Sequence, residues 1–303
     1  MDHSDNRNPQ ADERSDLTKR VLPQMTLTQG TQSIGLNAHH VAARYSAAGR
    51  FDLSGNAIIT GGAGAIGLVV ARAILQHGVS GLALFDLNVQ DSEDKIAALR
   101  REFPAAKVLA YAVDITDENQ VADGVTCTAS ALGSVDALVC FAGIVGCVHA
   151  LDMPASQWRR ILDVNTTGSF LCAQAVARQM VQQGTGGRIV FTASISAHRV
   201  NYPQPQVAYN VSKAALLMLK SSLAAEWARY GITVNSISPG YMDTILNEGD
   251  GLAEARKVWQ ERNPSGRMGI PEELTGVVVM LLSRAGSYIN GADIVVDGGG
   301  IVF

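Results

Sequence analysis

The sequence predicts an α/β fold, a doubly wound parallel sheet of about seven strands with helices on both faces, in a single domain. Three observations predict it. Short apolar runs alternate with helix-length amphipathic stretches from Phe51 onward. The runs are apolar throughout rather than at every second residue, the pattern of strands covered on both faces. A glycine-rich turn joins the first run to the first helical stretch, and that context is where nucleotide-binding α/β sheets place one.

In chain order the apolar runs are Ala57–Thr60, Leu82–Phe85, Val108–Val113, Ala137–Cys140, Arg188–Thr192, Thr233–Ile237 and Ile294–Val296. Helical stretches lie near 65–77, 91–103, 117–132, 156–183, 206–230 and 271–283. Strands separated by helices imply right-handed crossovers and so a parallel sheet. One such run could equally be a turn of buried helix, but a whole series in alternation could not. Residues 1–50 are different material. Asp, Asn, Gln, Arg and Ser dominate as far as Arg20, and no period is sustained. They are expected to form a polar extension, flexible or loosely docked, ahead of a domain at 51–303. Val41–Phe51 is more apolar and suited to packing on the body or on a neighbouring subunit.

Composition removes several classes of function. Of 303 residues, 47% are hydrophobic and 17% charged, enough for a large core and unlike a disordered chain. The net charge of −4 and the lack of a basic run argue against nucleic acid as a partner, because phosphate neutralisation needs clustered Lys and Arg. The uncharged stretch Leu53–Ala71 is interrupted by glycines, Ser54, Asn56 and Thr60, so it is not expected to span a membrane. Cys127, Cys140, Cys147 and Cys172 have no CxxC spacing, and the opening is acidic and polar. Reduced thiols and a cytoplasmic location are expected.

Thr60-Gly61-Gly62-Ala63-Gly64-Ala65-Ile66-Gly67 follows the first run and opens the first helix. Small residues there let backbone N–H groups approach a pyrophosphate at the positive end of a helix dipole. Such a turn between strand and helix is a dinucleotide site, a Rossmann-type arrangement. Asp86 closes the second run, followed by Leu87, with no Arg or Lys in the turn. An acid at that point accepts from a ribose 2′-hydroxyl and repels a 2′-phosphate, which favours NAD over NADP.

Tyr209 and Lys213, in Ala208-Tyr209-Asn210-Val211-Ser212-Lys213, share one face of a helix. An ammonium beside a phenol favours the phenolate and makes a plausible acid–base device. On its own the spacing is equally that of an exposed helix face.

Taken with the glycine turn, these residues make 51–303 resemble a classical short-chain dehydrogenase/reductase. Ser194, in Thr192-Ala193-Ser194-Ile195-Ser196, is similar to that family's catalytic serine. Asn165, in Asp163-Val164-Asn165-Thr166, is similar to the asparagine that completes its tetrad. By the same resemblance Gly61, Gly64, Ala65, Ile66, Gly67, Asp86, Asp114, Ile115, Ala142, Gly143, Tyr209 and Lys213 are expected to bind the cofactor. Pro239, Gly240, Met242 and Thr244, in Pro239-Gly240-Tyr241-Met242-Asp243-Thr244, join them. Asn290-Gly291 and Asp297-Gly298-Gly299 look like the family's closing strand. Cys140-Phe141 stands where the family usually carries Asn-Asn, which removes two side-chain donors and leaves the backbone of Ala142 and Gly143. Ala65 also breaks the classical Thr-Gly-x-x-x-Gly-x-Gly. Residues 210–303, however, are too few for the separate substrate domain of the family's extended branch.

The resemblance implies a hydride exchange between NAD(H) and a secondary alcohol or ketone. Tyr209 would move the proton, with Lys213 and the nicotinamide cation lowering its pKa. Ser194 would hold the substrate oxygen. Lys213 would grip the ribose, and Asn165 would hold a water. It also implies a homo-oligomer, a tetramer or dimer, through the long helices at 156–183 and 206–230. The loop between Ser194 and Tyr209 is rich in polar side chains, and Ser196, His198, Gln206 and Tyr209 are the expected substrate contacts. That loop resembles those of fungal polyol dehydrogenases and ketose reductases, which points to a sugar alcohol or ketose. Alternatives are a ketoreductase of secondary metabolism and a non-catalytic dinucleotide sensor or scaffold. No metal is expected, since His149 and His198 have no partner at ligand spacing. Trp158, Trp227 and Trp259 are expected to serve packing.

Overall fold

Seven parallel strands form one sheet in the computed structural model, which describes Val21, residues 23–28, 46–244, 247 and 249–303. They are β1 (Asn56–Thr60), β2 (Gly81–Asp86), β3 (Lys107–Ala112), β4 (Ala137–Cys140), β5 (Gly187–Thr192), β6 (Ile232–Pro239) and β7 (Asp293–Val296). Their order is β3-β2-β1-β4-β5-β6-β7. Each expected apolar run became a strand. β1 lies between β2 and β4, with Thr60 opposite both Phe85 and Cys140. The chain winds one way from β1 to β3 and then crosses back to β4. This leaves a crevice at the carboxyl ends of β1 and β4, where open α/β sheets bind ligands.

The two-sided burial follows from strand alternation. Ile58 faces one core, with Phe85, Leu138, Cys172, Met180 and Leu216. Ile59 faces the other, with Ile74, Leu84, Val139, Ile237 and Val278. The first core is roofed by α3 (Glu118–Leu132), α5 (Ser169–Gln183) and α6 (Val207–Trp227), and the second by α1 (Ala65–Gln76), α2 (Glu93–Glu102) and α8 (Thr275–Leu282). The remaining helices are α4 (Ala155–Leu162) and α7 (Ala253–Glu261).

Two elements differ from the sequence expectation. The continuous helix expected at 156–183 is α4 and α5 joined by a π-helical turn at Asp163–Gly168. Such an insertion frequently marks a functional site. Its cause is visible in the contacts. Asn165 turns inward to bond Ile144, and a Cβ on Gly168 would come within 2.8 Å of Ile115. Helix α7 was not anticipated; polar residues obscure a short apolar face that buries only Trp259.

All four cysteines are free thiols. Among the described residues no helix is long and apolar enough to cross a membrane. Most of residues 1–50 lie outside the described part, including Val41 to Tyr45 of the more apolar segment. Thr26 accepts a hydrogen bond from Arg229 Nη1 at 2.6 Å, just past α6.

Candidate active site

The turn after β1 is built from backbone packed on backbone. Gly61 has φ +64°, and a Cβ there would lie 2.6 Å from Ala142 N. A Cβ on Gly67 would lie 2.2 Å from Gly61 O. The N-cap of α1 is Gly64, which has no side chain to occupy the first N–H groups of the helix. The N–H groups of Ala65, Ile66 and Gly67 are therefore open at the positive end of a twelve-residue helix, a fit for a pyrophosphate. Asp86, at the end of β2, accepts from Ala63 N–H and Asn88 N–H at 3.2 Å each, tying its carboxylate to the same turn. Asp114 accepts from Thr116 N and Oγ1 at 2.9 and 2.7 Å, and Ile115 is buried beside Gly168.

The departure at Cys140-Phe141 leaves the backbone path intact. Phe141 N–H donates to Thr60 O at 2.9 Å and Ala142 N–H to Thr60 Oγ1 at 3.4 Å. Phe141 packs into the second core. Burial pushes the Cys140 thiol up to about 12, so it stays neutral. Next to it, a Cβ on Gly143 would meet Asn165 Oδ1 at 3.2 Å and Lys213 Nζ at 3.6 Å. This glycine lets the exit of β4 pass close to Asn165 and Lys213. On the far side Gly240 N–H donates to Val296 O at 2.9 Å, which anchors the Pro239-Gly240 turn to β7. Met242 and Thr244 are both buried beyond it.

Tyr209 and Lys213 stand on the first turns of α6, with Lys213 Nζ 5.6 Å from the phenol ring's centroid. Lys213 is buried, donates to Thr192 O at 2.7 Å, and is lowered by burial from 10.5 to about 8. Contrary to expectation, the Tyr209 pKa is raised. Burial is the main cause; the Ser194 hydroxyl pulls it down, and Tyr241 pushes it up. Lys213 does not offset the burial: its ammonium is 5.6 Å from the ring centroid and donates to Thr192 O. At neutral pH Tyr209 is thus a phenol, ready to give a proton.

Ser194 lies two residues past β5 and is paired with Ser196: the two hydroxyls are 3.0 Å apart, and Ser196 N–H donates to Ser194 Oγ at 3.1 Å. Asn165 Oδ1 accepts from Ile144 N–H at 2.8 Å, while its Nδ2 donates to Ile144 O and Ser212 Oγ at 2.9 Å each. One lone pair on Oδ1 remains for a water. The side chain's visible work is to fasten the Gly143–Ile144 exit of β4 to α6. Thr192 Oγ1, beside the carbonyl that Lys213 holds, is buried without a partner.

The loop between Ser194 and α6 is polar and bonded to the Pro239-Gly240 turn and α7 through Tyr241 and Trp259. Gln206 is buried, with Cys147 Sγ 3.6 Å from its Oε1. Asn201 and Gln204 donate to the Tyr241 hydroxyl, and Trp259 Nε1 donates to Gln204. Beyond the turn Asp243 pairs with Arg256.

A family model described as enoyl-(acyl carrier protein) reductase matches residues 61–300. The chain belongs to the short-chain dehydrogenase/reductase family. It is 38% identical over 253 residues to an NADP-dependent mannitol dehydrogenase of Hypocrea jecorina, covering 82% of this chain and 93% of that one. A D-arabinitol 2-dehydrogenase (ribulose-forming) of Candida tropicalis is 37% identical over 260 residues, 80% of this chain and 90% of that one. Among solved structures, a short-chain type dehydrogenase/reductase from Mycobacterium marinum superposes with a TM-score of 0.78 at 41% identity, covering 86% and 100% of the two chains.

Within this family the chain is an oxidoreductase served by a nicotinamide dinucleotide. The fold brings Ser194, Tyr209, Lys213 and Asn165 to one place from β5, α6 and the π turn. It does not leave His198 free for substrate. The ring's Nε2 lies 3.0 Å from Asp293 Oδ2 and 3.1 Å from Ser238 Oγ, so it pins the loop after β5 to β6 and β7. Asp293 comes from 95 residues downstream, and no local signal pairs the two. Sequence reasoning missed Cys147 as a neighbour of Gln206; Trp259, expected to serve packing, is buried and stacks on Tyr241 while also donating to Gln204. Among the described residues no cluster of His, Cys, Asp or Glu could hold a metal.

Proposed function

We propose that the protein interconverts a sugar alcohol and its ketose. What supports this is the polar loop between Ser194 and Tyr209, with Ser196 bonded to Ser194, Gln206 buried at the start of α6, and Asn201 and Gln204 bonded to Tyr241. Apolar ligands are bound by apolar walls, and convergent donors and acceptors suit a polyhydroxylated one. The mannitol and arabinitol relatives support the same class. The bound dinucleotide supplies or accepts the hydride. Ser194 donates to the reacting oxygen, Tyr209 gives it a proton in reduction and takes one in oxidation, and Lys213 holds the nicotinamide ribose. Asn165 and Gly143 keep the floor of the site in register, with the remaining lone pair of Asn165 available to a water of the proton path.

For the dinucleotide we propose NAD(H) over NADP(H). The mannitol relative named for NADP tilts the expectation the other way. In this chain, however, the Asp86 carboxylate ends β2 and is tied to the nucleotide turn through Ala63, and an acid there would repel a 2′-phosphate. We further propose a cytoplasmic homo-oligomer built on α5 and α6, which leave Val181, Val211 and Met218 exposed, with residues 1–50 as an appendage to the catalytic domain.

The test is to follow NADH and NADPH absorbance with ketoses, plain ketones and aromatic ketones, and the reverse reaction with polyols. Ketose reduction at a kcat/KM at least tenfold above the other ketones is expected. Preference for an aromatic ketone would favour the secondary-metabolism reading. Tight NADH binding with no turnover would favour a sensor.

A further inference from the structure

Ser212 stands between the two acid–base residues of α6, after Tyr209 and immediately before Lys213, and it is fully buried. Asn165 Nδ2 donates to its hydroxyl at 2.9 Å, and that hydroxyl donates to Tyr209 O at 2.7 Å. Thr166 Oγ1 donates to its carbonyl at 3.1 Å. The π turn at Asp163–Gly168 therefore grips one serine twice, through two consecutive residues.

The direction of these bonds is fixed by backbone groups. Asn165 meets Ile144 N–H with its Oδ1 at 2.8 Å and Ile144 O with its Nδ2 at 2.9 Å. A backbone N–H can only donate and a carbonyl can only accept. Turned over, the amide would set nitrogen against N–H and oxygen against carbonyl, so its orientation is settled. Both Nδ2 protons are then spent, one on Ile144 O and one on Ser212 Oγ. Ser212 Oγ accepts from Asn165, and its single proton goes to the Tyr209 carbonyl.

That carbonyl matters for both catalytic side chains. It belongs to Tyr209, and the helical pattern also makes it the acceptor for the Lys213 N–H. At the other end of the run, Ile144 follows Gly143, where a Cβ would meet Asn165 Oδ1 at 3.2 Å and Lys213 Nζ at 3.6 Å. The run Ile144–Asn165–Ser212–Tyr209 thus joins the exit of β4 to the first turns of α6.

We propose that Ser212 is a positioning residue for the proton transfer. Held by Asn165 and Thr166, it fixes Tyr209 and Lys213 in place against the Gly143–Ile144 backbone. This rests on the role proposed above for Tyr209 and holds for whichever ketone is the substrate. Alanine at 212 would leave one Asn165 proton unpaired in the interior and free the first turns of α6 to shift. A small displacement of a reacting group costs rate, so the loss falls on kcat.

The experiment sets Ser212→Ala beside Leu223→Ala, a buried core position further along the same helix. Asn165→Ala and the Asn165→Ala/Ser212→Ala double variant complete the set. Readouts are urea stability, NADH affinity by fluorescence titration, and kcat and KM with the best ketone of wild type. Ser212→Ala is expected to lower kcat about tenfold, with KM and NADH affinity within threefold. Leu223→Ala should lose at least as much stability and keep kcat within threefold. The double variant should lose less than the product of the two single losses, because the residues act as one chain. A wild-type kcat in Ser212→Ala, an equal kcat loss in Leu223→Ala, or fully multiplicative losses would each overturn the proposal. Should Ser212→Ala fail to fold, Thr166→Val takes its place: it removes the grip on the carbonyl alone and should lower kcat about threefold, and an unchanged kcat overturns the proposal. Tyr209→Phe separates the two readings. Its retention of turnover would sink the role of Tyr209 itself, whereas its inactivity beside a fully active Ser212→Ala would sink the positioning by Ser212 alone.

Discussion

The nucleotide half and the substrate half of this site are built by different means. Around the first βα turn the contacts are backbone on backbone: Gly61 against Ala142, Gly67 against Gly61, and a helix N-terminus with no capping side chain. Over Tyr209 the contacts are side chain on side chain across long sequence separations, 40 residues from Asn201 to Tyr241 and 55 from Gln204 to Trp259. A backbone cradle demands particular residue types at fixed spacing. A side-chain wall demands only that some polar groups meet. The first therefore leaves a motif, and the second leaves composition.

The largest effect that would test this division is on the acid–base residue between the halves. Tyr209→Phe should lower kcat by about 10³, within the range of general acid–base catalysis, with NADH affinity within threefold by fluorescence titration. Retention of more than a few per cent of turnover would remove the phenol from the mechanism. Next comes the cofactor edge. Asp86→Ser should raise the NADPH-to-NADH ratio of kcat/KM by roughly 10- to 100-fold, the scale of removing a charge repulsion of about 1.4–2.8 kcal/mol. An unchanged ratio would show that Asp86 serves only the turn.

A third prediction concerns Lys213. Its pKa falls from 10.5 unfolded to about 8 folded, so between those values the unfolded chain binds more protons. The group therefore adds stability as pH rises across that window, by at most about 1.4 kcal/mol per pH unit. Urea unfolding of the cofactor-free protein from pH 7 to 10, set against Lys213→Met, should show wild type gaining on the variant above pH 8. A flat difference would mean the lysine is not desolvated. The smallest kinetic effect is expected at His198. His198→Ala should cost about 1–2 kcal/mol of stability through lost bonds to Asp293 and Ser238, with ketose kcat/KM within threefold. A tenfold rise in KM without a stability change would return the histidine to the substrate wall.

Legibility followed the same physics. All seven strands could be located because a strand buried on both faces must be apolar along its length. Asn165, Ser194 and Tyr209 were placed by the family's order and spacing. The break at Asp163–Gly168 was not legible, because a π turn obeys contacts with Ile115 and Ile144 rather than any local propensity. Nor was α7, whose single buried residue gives too weak a period.

By itself, then, the sequence determined the parallel sheet and the nucleotide turn, and through its family resemblance it offered Ser194, Tyr209 and Lys213 as candidates for the proton transfer. The first two rest on local constraints: the periodicity of the strands and the glycine spacing of the turn. The tertiary structure alone decided that His198 braces β7, that burial raises the Tyr209 pKa, and that Asn201, Gln204 and Trp259 gather around Tyr241. Those outcomes depend on desolvation and on bonds between distant segments, which no window of the chain contains.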